Sequence, residues 1–264
     1  MLSAITLLYL AVIINYEQLN PTEEKTIVFI HGLSDTLDFW DPLVSQLYSS
    51  YRTITYDLRG HGHSEYKICK PDISVYERDL LSLLQTLKVR KAVFVGFSMG
   101  SLIAQRFAID HPEMVKGLVL MSTYSYLNAK TVQPFIKFEN ALNNNYEEFF
   151  DSIIPYVMSK ESIEQYKEVL EELKKEKAKT ANIEGLLSAV RACKAFNDYT
   201  ELKSIKTPTI IFAGEKDQLT TMEMQTYVKD NIKGAVLIEL EDTYHNVLTD
   251  PNVPKILDAI KKLW

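Results

Sequence analysis

The chain has 264 residues, 46% of them hydrophobic and 24% charged, with a formal net charge of -6. That length fits one large domain, or one domain carrying a sizeable insertion, and the composition supports a substantial core. The negative balance, with no basic stripe interleaved with aromatics, speaks against a nucleic-acid binder; Cys69 and Cys193 match no metal or redox spacing and read as free thiols of a reducing compartment.

Leu2 to Ile14 is mostly apolar, yet shorter than the roughly 20 residues a membrane span needs. It has no Lys or Arg before Lys25 and runs into Asn15-Tyr16-Glu17, unlike a secretory signal. The stretch reads as one or two opening β-strands of a soluble, cytoplasmic protein with no stable membrane anchor. Thr26 to Ile30 is a near-continuous apolar run, as a strand buried on both faces should be. It ends in His31-Gly32-Leu33-Ser34-Asp35, a turn whose glycine marks a close backbone approach. A helix is expected over Trp40 to Tyr48, with Asp38 as cap and Pro42 in its first turn. Tyr51 to Tyr56 is the next strand, stopped by Asp57-Leu58-Arg59-Gly60-His61-Gly62-His63-Ser64. A helix follows from about Val75 to Leu87, apolar at Leu80, Leu81, Leu84 and Leu87.

The strand Ala92 to Val95 then leads into Gly96-Phe97-Ser98-Met99-Gly100, and Ser101 to Ala108 carries apolar residues at helical spacing. In a strand–turn–helix setting G-x-S-x-G lifts the serine to the apex of a strained turn. Side chains in place of Gly96 or Gly100 would collide with a neighbouring strand or helix. The N–H of Met99 opens the helix and is free to donate to an oxyanion. After a break at His111-Pro112 comes the strand Gly117 to Ser122.

From about Asn128 to Asn197 the chain reads as helices only, in four pieces: Val132–Leu142, Tyr146–Met158, Glu161–Lys177 and Ile183–Phe196. The third is rich in Glu and Lys at i,i+4 and reads as a solvated face. Strand and helix alternate again through Thr209 to Ala213, a helix near Thr221–Asp230, the strand Ala235 to Leu240 and a final helix from about Val253 to Leu263. Such alternation implies an α/β fold with a mostly parallel sheet covered on both faces.

A serine hydroxyl is a weak nucleophile and needs a base oriented by a third group. Of five histidines, His245 follows a strand and so stands at the carboxyl edge of the sheet, where ligands bind in open α/β folds. His111, before Pro112, reads as exposed. His61 and His63 lack a third metal ligand, and His31 is placed to tie loops together. For the acid, Asp217 comes directly after the strand Thr209 to Ala213 and reaches the same edge. Asp242, three residues before His245, would have to fold back within one loop. The catalytic set is therefore Ser98, Asp217 and His245, with the N–H groups of Leu33 and Met99 as oxyanion hole; losing one such donor typically costs about 3–4 kcal/mol.

Taken together, Ile30-His31-Gly32, the Asp57–Ser64 stretch, Gly96–Gly100, the Gly214 to Asp217 loop and His245 followed by Asp250-Pro251 make the chain resemble the α/β-hydrolase-fold family. Within it the likeness is to small carboxylesterases, pimeloyl-carrier-protein methyl ester esterases and 3-oxoadipate enol-lactonases. The resemblance implies a sheet of about eight strands in a core of residues 1–123 and 198–264, a helical cap at 124–197, and no cofactor. It implies also that Asp57, Arg59 and His61 to Ser64 are chiefly loop architecture. Ser101 stands where relatives carry a third glycine, and Tyr244 where they carry a small residue. The expected activity is hydrolysis of a small-molecule ester of short to medium acyl chain; epoxide hydrolases and haloalkane dehalogenases of this fold have aspartate at the elbow. Lactonase, thioesterase and non-turnover receptor are the alternatives with the same residues. Tyr124, Tyr126, Phe135, Phe138, Phe149, Phe150, Tyr156 and Phe196 are candidates for an acyl pocket, and Arg191 and Lys194 for meeting an acidic substrate. No oligomeric state is read from the sequence.

Overall fold

Apolar runs decide the sheet. In the computed structural model, which describes residues 12–264, seven strands form one sheet: β1 (Tyr16–Leu19), β2 (Thr26–Ile30), β3 (Arg52–Tyr56), β4 (Ala92–Phe97), β5 (Val115–Met121), β6 (Thr209–Gly214) and β7 (Val236–Leu240). Their order is β1-β3-β2-β4-β5-β6-β7; β1 is antiparallel to β3 and every other pairing is parallel. Alternate residues of β2 and β4 enter two separate cores. Val28, Ile30 and Phe94 face one, while Ile27, Phe29, Val93 and Val95 face the other. A strand buried on both faces must be apolar at both parities, which is why these runs show no alternation.

Ten helices supply the covers among the described residues: α1 (Asp41–Leu47), α2 (Ile73–Thr86), α3 (Met99–Asp110), α4 (Gln133–Asn144), α5 (Tyr146–Val157), α6 (Lys160–Gln165), α7 (Lys167–Thr180), α8 (Ile183–Ala195), α9 (Met222–Asn231) and α10 (Val253–Lys262). α10 buries Val253, Ile256, Leu257 and Ile260, a single stripe at i, i+3, i+4 and i+7, and joins α1 on the second core. α2 and α3 cover the first. Side-chain caps start several helices: Asp72 accepts from Ser74 N–H, Asn145 from Glu148 N–H, Ser159 from Ser162 N–H and Asn182 from Gly185 N–H. Five helices, α4 to α8, occupy the chain between β5 and β6.

Two local expectations change, and a third lies mainly outside the described residues. A 3-10 turn, Leu37–Trp40, precedes α1, so Asp38 lies inside that turn and caps nothing. The Glu161–Lys177 helix is two helices, because Tyr166 leaves helical geometry (φ -104°, ψ 18°) between α6 and α7. Residues 2–11 of the anticipated opening strands lie outside the described residues. From Val12 the chain is irregular as far as Asn15 and is tied to the 57–65 loop: Glu65 N–H donates to Ile13 O and Asp57 N–H to Asn15 O, each at 2.9 Å. Among the described residues no helix is long and apolar enough to cross a membrane.

The Asp57–Ser64 stretch behaves as loop scaffolding. The Asp57 carboxylate accepts from Leu37 N–H (2.8 Å), His63 N–H (2.9 Å) and Asn15 Nδ2 (2.8 Å). Arg59 grips buried Asp79 with two bonds of 2.7 Å, and Leu58 N–H donates to His31 Nε2 at 2.9 Å. His31 thus ties two loops together, as its position suggested.

Candidate active site

Ser98 takes φ 49° and ψ -116°, between the end of β4 and the start of α3. A non-glycine residue in that region is strained by about 1–3 kcal/mol and needs its surroundings to hold it. They do so from both sides. Ser98 N–H donates to Met121 O of β5 at 2.8 Å, and the Ser101 hydroxyl lies 2.6 Å from Ser98 O. The two glycines are steric necessities: a Cβ on Gly96 would sit 2.5 Å from Gly100 O, and one on Gly100 only 2.0 Å from Ile30 O.

The strand order brings the partners to the serine. β6 ends in the loop holding Asp217 and β7 in the loop holding His245, both at the carboxyl edge that β4 shares. His245 Nε2 is 2.9 Å from Ser98 Oγ, and His245 Nδ1 is 2.9 Å from Asp217 Oδ2. With a carboxylate as its neighbour Nδ1 carries the proton, leaving Nε2 to accept from the serine hydroxyl. Burial alone would push the Asp217 carboxyl up. His245, the Thr220 hydroxyl (2.6 Å) and the Thr220 N–H (2.9 Å) outweigh it and hold the group below its usual range.

Asp242, the rival acid, is 81% exposed and pairs with Lys216 instead. Tyr244 stands clear of the cavity, its ring 5.9 Å from Lys216 Nζ. Leu33 and Met99 both line the cavity above Ser98, and neither N–H donates to a backbone or side-chain acceptor among the described residues. His61 and His63 belong to no group of side chains there that could hold a metal. His111 is only partly exposed, its Nε2 2.8 Å from Glu77 Oε1.

A second tier of groups had no signal in the sequence beyond being small hydroxyl and amide residues near the right strands. Ser122, itself at φ 53°, donates to His245 O at 2.6 Å and fixes the loop that carries the ring. Gln225 Nε2 donates to Thr220 O at 2.7 Å, while its Oε1 accepts from Thr123 N–H at 3.3 Å. The Ser101 hydroxyl, 2.8 Å from Thr123 Oγ1, continues the chain to α3, the helix that follows Ser98. A buried polar network this well satisfied rigidifies what it touches.

The cavity over Ser98 has a volume of about 220 Å3 and runs under α4, α5, α7 and α8. Tyr124, Phe135, Phe138 and Phe150 line it, joined by Phe39 and Phe97 from the sheet side. Tyr126, Phe149, Tyr156 and Phe196 do not; Phe149 packs inside the helical segment against Phe138. Arg191 and Lys194 point elsewhere, both bound to Glu139 at 2.7 and 2.5 Å. The charged groups at the wall are Asp35 and Lys177.

Burial raises the Asp35 carboxyl to about 6, against the pull of Lys177, His245 and the Gly32 N–H. The folded protein therefore holds this proton up to about pH 6, whereas the unfolded chain releases it near 3.8. Stability from this group is full below the unfolded value and is lost as pH rises through 6. Asp35→Asn removes that loss, so the variant is expected to gain about 1–3 kcal/mol over wild type at pH 8 and nothing at pH 4. Thermal melts at the two pH values read it directly, and an equal difference at both would refute the assignment.

The family model for the alpha/beta hydrolase fold matches residues 25–251. The chain is 25% identical over 241 residues to 3-oxoadipate enol-lactonase 2 of Acinetobacter baylyi, covering 91% of this chain and 89% of that protein. It is 23% identical over 240 residues to the Karrikin insensitive 2 receptor IA of Petunia hybrida, covering 83% of each. Among solved structures, the enol-lactonase from Burkholderia xenovorans superposes with a TM-score of 0.85 at 25% identity, over 96% of both chains.

Proposed function

We propose, from the premise that this chain belongs to the alpha/beta hydrolase fold family, that it is a serine hydrolase cleaving carboxylic esters of short to medium acyl chain. The observation that carries the reading is the unbroken line of 2.9 Å contacts from Ser98 through His245 to Asp217, set beneath an apolar cavity. Ser98 Oγ attacks the ester carbonyl while His245 Nε2 takes the hydroxyl proton. Asp217 keeps the imidazole in the needed tautomer and stabilises the imidazolium. Negative charge gathers on the carbonyl oxygen, and the N–H groups of Leu33 and Met99 receive it. The tetrahedral adduct collapses, the C–O bond to the alcohol breaks, and His245 returns its proton to the departing oxygen. Water, deprotonated by the same histidine, then releases the acid from the acyl-enzyme.

Helices α4 to α8, within residues 124–197, act in this reading as the cap over the site. A lactone satisfies the same mechanism with its alcohol still tethered, and the likeness to enol-lactonases favours that as the second substrate form. Free Cys69 and Cys193 suit a cytoplasmic enzyme. A series of p-nitrophenyl esters from acetate to palmitate tests the proposal. Steady turnover is expected to peak near about C4–C8 and to fall about tenfold or more by C16, as an apolar pocket of limited size requires. Release of one equivalent followed by arrest would replace the hydrolase with a covalent receptor of the same fold.

A further inference from the structure

The cavity over Ser98 shares a wall with a smaller one of about 70 Å3. Ser34, Asp35, Tyr146 and Lys177 line both. Ser34 and Asp35 follow Leu33 directly in the chain, Tyr146 opens α5, and Lys177 reaches the wall from α7. The remainder of the large cavity is chiefly aromatic and aliphatic, so this wall is its polar end.

Two features of that end, and one of the smaller cavity behind it, call for a ligand. Lys177 has no carboxylate within ion-pairing distance among the described residues, although Lys174 and Lys179 of the same helix are both paired. His61, which lines the smaller cavity, donates from Nδ1 to Arg59 O at 3.1 Å, so its Nε2 is a bare acceptor; that buried atom has no partner. Asp35 adds a carboxyl on the shared wall itself. A cation and a carboxyl on one wall leave little net field to select an ion, but they present a strong donor beside strong acceptors.

We propose that this shared wall is a polar subsite that takes a neutral group able both to donate and to accept hydrogen bonds, a secondary amide or a hydroxyl, on the acyl part of the ester. An amide carbonyl accepts from Lys177 Nζ, and its N–H donates to Asp35. The inference rests on the acyl-transfer reading of Ser98 and narrows it: the preferred substrates are functionalised acyl esters rather than plain alkyl ones. It also moves the polar recognition of substrate away from Arg191 and Lys194, whose charges Glu139 already occupies.

The test compares kcat/KM of the full chain for the p-nitrophenyl esters of 4-acetamidobutyrate and of heptanoate, which have acyl chains of equal length, and for the monoester of pimelate. Wild type is expected to favour the amide ester over heptanoate by about tenfold or more, the size of at least one hydrogen bond to a charged group. Asp35→Asn and Lys177→Met are each expected to reduce that ratio to below about threefold, whereas Lys175→Met on the same helix leaves it as in wild type. A wild-type ratio near one, a ratio that neither substitution moves, or preference for the anionic pimelate ester would overturn the subsite. If no ester is turned over, the acyl-transfer reading fails on its own. The subsite is then judged by calorimetry of Ser98→Ala with methyl 4-acetamidobutyrate and methyl heptanoate: tighter binding of the amide supports it and equal binding refutes it.

Discussion

Ser98→Ala is expected to lower kcat/KM for p-nitrophenyl butyrate by about 10^5–10^6, to within reach of the buffer rate. The loss is this large because the groups act as a unit. In the proposed mechanism, without Oγ His245 has no nucleophile to deprotonate, and the N–H groups of Leu33 and Met99 meet an oxyanion that never forms. Stability should scarcely change, since alanine inherits the same φ of 49° and the hydroxyl's contact is to the His245 ring. The melting temperature therefore serves as the control for folding. A variant that keeps hydrolysis to within tenfold of wild type would rule out Ser98 as the acyl carrier.

Gly100→Ala is expected to cost more than about 4 kcal/mol of stability, beyond the roughly 1–3 kcal/mol usual for overpacking, because the clash is with backbone. The added Cβ would lie 2.0 Å from Ile30 O and 2.6 Å from His31 O, both backbone atoms at the end of a central strand. Neither has a flexible side chain's freedom to swing away, so α3 must withdraw from β2. That movement carries the Met99 N–H away from the Leu33 N–H, and ester turnover should fall along with stability. Gly234→Ala is the matched comparison. Gly234 has φ 81° and nothing within 4 Å of the point where a Cβ would stand, so only its left-handed backbone resists, at about 1 kcal/mol. Urea midpoints at constant m-value separate the two, and similar losses at both positions would defeat the steric argument.

What can be read from the chain and what cannot divide along a physical line. β2 is bounded to the residue, because a strand buried on both faces has to be apolar throughout and flanked by polar turns. Ser98, Asp217 and His245 are legible because each follows an apolar strand, and parallel strands all deliver their next residue to one edge of the sheet. The break at Tyr166 is not, since neither proline nor glycine marks it and the neighbouring sequence is helix-forming on both sides. The engagement of Arg191 and Lys194 by Glu139 joins α8 to α4 across more than 50 residues of sequence, beyond any local pattern. Thr220 is hidden for a different reason: its hydroxyl matters only once β6 and β7 have brought Asp217 and His245 together. Of the opening apolar stretch only Val12 to Ile14 lie among the described residues, where they are irregular, and β1 begins at Tyr16.

The contact between Ser98 and His245 spans 147 residues of sequence. At the usual pace of synthesis, about 5–20 residues per second, the ribosome makes the serine roughly 7–30 s before the histidine. Through that interval the elbow can be shaped, since its steric partners Ile30 and His31 are already made, but no base exists to activate the hydroxyl. A nascent chain is in this sense born disarmed. On the proposed acyl-transfer reading it gains acylating power only when β6 and β7 have been added to the sheet edge, so partly made chains are expected not to trap passing esters.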